Sequence, residues 1–181
     1  MPTPIDEILG FWLAAGRERW FGKDAAFDAE IRRRFLARYG EAAAGALAHW
    51  GDQPDGALAL VILLDQFPRN MYRDSPLAFA TDRAARALAD QSIARGFEGK
   101  VVPAARHFFF LPFEHAEDLS DQERSVALFL TSGADARTMA FVHRHREIIA
   151  RFGRFPHRNR ALGRRSTAAE IAFLGEPNSG F

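Results

Sequence analysis

The chain has 181 residues, 48% apolar and 26% charged, which excludes a disordered segment and permits one sizeable buried core. With 24 basic and 23 acidic residues the net charge is +1, so no global field draws in nucleic acid. There is no cysteine, which excludes a disulfide framework, a thiolate nucleophile and a zinc–thiolate site.

The longest unbroken apolar run, Ala57 to Leu64, is far below the ~20 residues that a membrane-spanning helix needs. The opening MPTPIDEILGFW carries Asp6 and Glu7 where a secretory signal would be apolar. The expectation is a cytoplasmic protein with no membrane partner, built as a single domain over residues 1–181.

In chain order, Thr3-Pro4 supplies a capping hydroxyl and a first-turn proline for an opening helix. Ile5, Ile8, Leu9, Trp12 and Leu13 share one face of that helix, and Gly16 is expected to close it. Asp24 can cap a second helix, whose stripe is Phe27, Ile31, Phe35 and Tyr39, with an interruption expected at Gly40. After the turn-rich 52–56 comes a helix from about Ala57 to Gln66, apolar nearly all round and hence the buried centre of the fold. Ser75-Pro76 should open a helix carrying Leu77, Phe79, Ala80, Ala84, Ala87 and Leu88 inward as far as Gly96.

Pro103 starts a shorter helix that Pro112 is expected to stop. Ser120 and Glu123 read as a capping box for a helix to about Leu130. Asp135 can cap the last long helix, with Gly153 as terminator, and Thr167 with Glu170 reads as a capping box for a closing helix to Leu174. No segment alternates over enough residues to make a strand. The fold class is all-α, with about eight or nine helices joined by short loops.

Two Phe-Pro corners stand out: Phe67-Pro68-Arg69-Asn70 and Phe155-Pro156-His157-Arg158-Asn159. Proline has no N–H and clashes with the preceding turn, so each apolar run is expected to end near its Phe, holding the polar residues just beyond. Eight arginines between Arg144 and Arg165 face five acids between Glu114 and Glu123 in sequence. These blocks are expected to pair within the fold, which disfavours nucleic acid as a partner.

The strings LDQFPRNMYR, FFFLPFEHAEDLSDQE and HREIIARFGRFPHRNRALGRRST, in this order and with the earlier WF and FD, resemble the bacterial domain-of-unknown-function family 924. The resemblance covers essentially the whole chain. It implies a compact all-helical array of the tetratricopeptide-repeat (TPR-like) kind and carries no activity with it. The sequence itself shows no ~34-residue repeat with that signature.

His145 lies in the apolar arc of Phe141, Val142, Ile148, Ile149 and Phe152, so it is expected to face inward and need partners for its ring nitrogens. Asp65 ends the central run with Arg69, Asn70 and Arg73 just beyond, which suits either an Asp–Arg lock or a general base. Glu114, His115, Glu117 and Asp118 form a loose donor set, but Glu-His-x-Glu matches no metal signature, and no metal or cofactor is expected. Arg154, His157, Arg158, Asn159 and Arg164 surround the second corner, where arginine forks suit a carboxylate or phosphate.

The leading expectation is a binding protein for a small anionic ligand or a peptide, with Asp65, Arg69, His145, Arg158 and Asn159 lining a polar pocket. The alternative is an enzyme with His145 as general acid or base, oriented by Asp65 or Glu114 and assisted by arginines.

Overall fold

The computed structural model describes residues 2–177, 179 and 180. The protein is all-α, with no strand among the described residues. Its chain divides into two compact units, one running up to Arg73 and resuming over Leu77–Pro112, the other comprising Asp74–Pro76 and the chain from Phe113 on. No helix among the described residues is long and apolar enough to cross a membrane.

In the first unit, helix α1 (Pro4–Phe21) is capped by Thr3, whose hydroxyl accepts from the Asp6 N–H while Asp6 returns the bond. Gly16 takes φ +75, a conformation only glycine adopts cheaply, and breaks the helix there, but helical structure resumes to Phe21. Helix α2 (Ala25–Ala43) is capped by Asp24 and buries Phe27, Ile31, Phe35 and Tyr39, as their four-residue spacing predicts. It runs through Gly40 without interruption, because helical φ and ψ cost a glycine only entropy and the apolar stripe continues to Ala42.

The central rod consists of α3 (Pro54–Val61), a π-helical turn (Ile62–Gln66) and α4 (Phe67–Met71) in succession. Ala57 to Leu64 are each no more than 5% exposed, and burying a Leu or Ile side chain is worth about 1.5–3 kcal/mol. The rod can start close against the preceding loop because Gly56 has no Cβ; one would sit 2.2 Å from the Trp50 carbonyl oxygen.

The rod does not stop at Phe67-Pro68, contrary to expectation. Its π turn has the Phe67 N–H donate five residues back, to the Ile62 carbonyl, and that wider turn accommodates the proline. The Leu64 carbonyl, which an N–H at position 68 would have satisfied, instead accepts from Thr81 Oγ1 at 2.6 Å. Around the rod, Trp12 packs edge-on to Phe67 and Phe108 at ring separations of 5.5 and 5.7 Å, completing an aromatic core.

Residues Pro76–Phe79 form a 3₁₀ turn, and α5 begins only at Asp82, running to Ala94. The helical phase carried forward from Pro76 is therefore lost. Ala85, Ala89 and Ser92 face inward, while Leu77, Ala80, Ala84 and Ala87 are exposed, correcting the face read from sequence. Pro103–Phe109 is a long 3₁₀ segment. Pro112 does not stop the chain; it sits in the first turn of a short helix α6 (Leu111–Glu114), where a missing N–H costs nothing.

In the second unit, α7 (Leu119–Thr131) and α8 (Ala136–Phe152) pack together. The cap of α7 is Asp118, whose carboxylate accepts from the Asp121 N–H; Ser120 donates its hydroxyl to Asp118 rather than forming a box with Glu123. Asp118 has the extended backbone of a capping position one residue before the helix, whereas Ser120 already lies inside its first turn. Asp135 caps α8, and Gly153 ends it in the left-handed conformation, φ +69. This end lies ahead of Phe155-Pro156, which opens a separate 3₁₀ turn (Pro156–Arg158). The Thr167–Glu170 capping box opens α9 (Ala168–Leu174).

Candidate functional site

In the second unit, Glu114 at the end of α6 and His145 on α8 are brought together, both buried. The inward position of His145 among Val142, Ile148 and Ile149 follows from the helical arc, although Phe141, read into the same arc, is exposed. Its Nδ1 lies 2.8 Å from the Phe141 carbonyl oxygen and 3.0 Å from Glu114 Oε1. A carbonyl can only accept, so Nδ1 carries the proton and the lone pair of the neutral ring is on Nε2. Burial pushes the imidazole well below its ordinary pKa, and the positive charges of His115, Arg158 and His157 act in the same direction, against the Phe141 carbonyl. The Glu114–His145 contact is therefore a carboxylate orienting a neutral ring.

One wall of this pair is Phe155, fully buried, which meets the His145 ring edge-on at 5.6 Å. The Arg158 guanidinium lies 4.4 Å from the centroid of the same Phe155 ring and donates through Nη1 to the His115 carbonyl at 3.0 Å. His157 is tilted against Phe155 at 5.6 Å.

The remaining second-corner arginines are committed to carboxylates. Arg164 forks onto Glu117 through Nη1 and Nη2 at 2.5 and 2.8 Å, while its Nε donates to Asn159 Oδ1 at 2.9 Å. Glu117 also accepts from the Phe155 N–H at 2.8 Å. Burial would raise the Glu117 carboxyl, but Arg164 and the Phe155 N–H outweigh it and hold the pKa below the usual range. Asn159 Nδ2 donates to Ser166 Oγ at 3.0 Å. Arg154 forks onto Glu170 at 2.6 and 2.8 Å, and this fork with the Thr167 N–H lowers the Glu170 carboxyl to about 2.

The donor set read in the 114–118 loop is thus dispersed: Glu114 turns to His145, Glu117 to Arg164, and Asp118 caps α7. Among the described residues no three His, Asp or Glu side chains are gathered as metal ligands would be. The acidic and basic blocks do pair, through Glu117–Arg164 and Glu123–Arg146, although Arg154 takes Glu170 instead.

The first-corner residues form a network in the first unit. Asp65, fully buried in the π turn, accepts from Gln66 Nε2 and lies 3.3 Å from Arg69 Nη1. Arg69 also forks onto Asp82 at 2.8 and 2.9 Å and donates to the Asp65 carbonyl. Burial opposes the Arg69 charge, but Asp65 and Asp82 more than offset it. Asn70 and Arg73 both donate to Asp28, and Arg73 reaches the Gly22 carbonyl as well. The Asp–Arg lock read at Asp65 is present, and the carboxylate beside His145 is Glu114.

Sequence reasoning missed Asp28 and Asp82 as the partners of the first corner and Glu170 as that of Arg154. Asp28 and Asp82 each sit in the first turn of a helix, where an acid already has a local explanation. Glu170 carried the same disguise as a capping-box residue.

A solved structure, that of a protein of unknown function, ATU0120 from Agrobacterium tumefaciens, is similar to this chain at 42% identity and a TM-score of 0.91. The match covers 96% of this chain and 97% of that one. No curated protein matches. The profile of the family described as "Bacterial protein of unknown function (DUF924)" matches residues 8–178, and the chain belongs to that family.

Proposed function

We propose that the second unit carries an acid–base centre acting on a small polar substrate, with His145 as the proton-transferring group and Glu114 as its orienting partner. The observation that supports this is the pair of oxygens at Nδ1, the Phe141 carbonyl, which accepts at 2.8 Å, and Glu114 Oε1, 3.0 Å away. A histidine serving only to fill a core needs one such acceptor. Two of them fix the tautomer, and the buried carboxylate stabilises the imidazolium that forms when Nε2 takes a proton. Arg158, whose charge acts on His145, can balance negative charge developing on a substrate. The arginines of the two corners are less suited to anion capture, since Arg69, Arg73, Arg154 and Arg164 are already forked onto carboxylates.

The test is turnover of a panel of chromogenic carboxylic and phosphoric esters. Replacing His145 with Gln should lower any activity found by about 10²–10⁴-fold, the usual contribution of general acid–base catalysis. Activity that survives in His145→Gln sinks the reading.

A second reading, a site for a small anionic ligand or a peptide, is favoured by a shallow depression of about 590 Å³ lined by Arg151, Phe152, Arg154, Thr167, Ala169 and Glu170. With Arg154 engaged by Glu170, Arg151 would carry the charge there. Titration with phosphate should raise the melting temperature of the native protein and not that of Arg151→Ala.

A further inference from the structure

We infer that Gln122 is the positioning residue of the Glu114–His145 centre, an inference that rests on the acid–base reading above. Gln122 lies on α7 and is fully buried. Its Nε2 donates to the Glu114 carbonyl at 2.6 Å and the Ala116 carbonyl at 2.8 Å, with the Phe113 carbonyl at 3.4 Å. Three converging carbonyls admit only the nitrogen of the amide on that side, which settles the orientation of the side chain.

The physical need is local. Helix α6 is four residues long, too short to hold itself, and its last carbonyls have no partner within the helix. The Gln122 amide satisfies them from α7. It thereby pins the backbone of Glu114 while the carboxylate of the same residue reaches across to His145 on α8. Since α7 and α8 pack directly on one another, the clamp and the ring it serves share one rigid frame.

The other end of the amide shows what this arrangement costs. Gln122 Oε1 is buried and finds no hydrogen-bond partner among the described residues, and the same holds for Ser125 Oγ one turn further along α7. A buried oxygen without a partner is unfavourable, and an apolar side chain of the same length would avoid it. The amide is needed for its nitrogen, and the nitrogen serves the end of α6.

The test reads the His145 ring directly by long-range ¹H–¹⁵N NMR. The wild-type protein should show the Nδ1–H tautomer. In Gln122→Met, which keeps the length and removes the amide donor, the Nδ1–H resonance should shift as Glu114 Oε1 leaves its place beside the ring. Ser125→Ala, on the same buried face, should leave it in place. An unchanged Nδ1–H resonance in folded Gln122→Met overturns the inference while leaving the acid–base reading standing. An Nε2–H tautomer in the wild type overturns both. Should Gln122→Met fail to fold, the wild-type side-chain amide decides: couplings across hydrogen bonds to the Glu114 and Ala116 carbonyls are expected, and their absence overturns the clamp.

Discussion

Glu114 and His145 meet with carboxylate Oε1 3.0 Å from imidazole Nδ1, both buried and on different helices. Burial disfavours the charged ring, so the contact holds a proton position rather than a simple ion pair. Replacing Glu114 with Gln keeps the shape and allows the amide to turn its nitrogen to the ring. NMR should then show a larger population of the Nε2–H form than in the wild type. An unchanged tautomer in Glu114→Gln means the Phe141 carbonyl orients the ring alone.

His107 offers a pH-dependent signature in the first unit. It packs against Phe108 and Trp20, and burial, with the nearby charge of Arg17, pushes its pKa down to about 4. Below the ordinary value of 6.5 the unfolded chain takes up a proton that the folded protein refuses. The stabilisation is thus complete above about pH 6.5 and is lost as pH falls toward 4. Between pH 7 and 5 this one group should remove about 2 kcal/mol, from 1.36 kcal/mol per pKa unit. Urea unfolding at the two pH values should show that His107→Leu loses less stability on acidification than the wild type. Equal losses would contradict it.

The lock at the first corner should be strongly coupled. Arg69→Ala leaves the fully buried Asp65 without its cation, a change that costs about 3–5 kcal/mol when a buried pair is broken. Removing both charges, with Asp65→Asn and Arg69→Ala together, should cost less than Arg69→Ala alone. A double-mutant cycle in denaturant checks this, and simple additivity would count against the lock.

Pro68 and Thr81 form a second coupled pair. Thr81→Val strips the donor from the buried Leu64 carbonyl and should cost about 1–3 kcal/mol. Pro68→Ala restores a backbone N–H four residues beyond that carbonyl, so Thr81→Val should cost markedly less in that background. Equal costs in the two backgrounds would show that the hydroxyl does not substitute for the missing amide.

Arg164 binds Glu117, Asn159 and the Phe155 carbonyl with one guanidinium. A lysine ammonium cannot fork across three such partners. Arg164→Lys should therefore lose most of the roughly 2 kcal/mol lost by Arg164→Ala, on the scale of hydrogen bonds to charged groups. Full stability in Arg164→Lys, measured by thermal unfolding, would reduce the corner to a simple charge pair.

Much of this protein was legible in its sequence because the deciding contacts are near neighbours. The caps at Thr3, Asp24, Asp135 and Thr167, the stripe of α2, the buried rod and the inward face of His145 each depend on residues within a turn or two. Side-chain periodicity and capping chemistry operate at that range. The family match extends that legibility to the chain as a whole.

What the tertiary structure alone decided are the pairings between elements. The rod passes through Pro68 because its freed carbonyl finds a hydroxyl 17 residues away. Helix α5 presents Ala85 and Ala89 inward because a 3₁₀ turn ahead of it resets the phase. Glu114 reaches His145, and Arg154 reaches Glu170, only once separate helices are packed. A buried polar group must find a complement somewhere, which the sequence can demand. Which complement it finds is set by the packing of helices whose local sequences carry no record of one another.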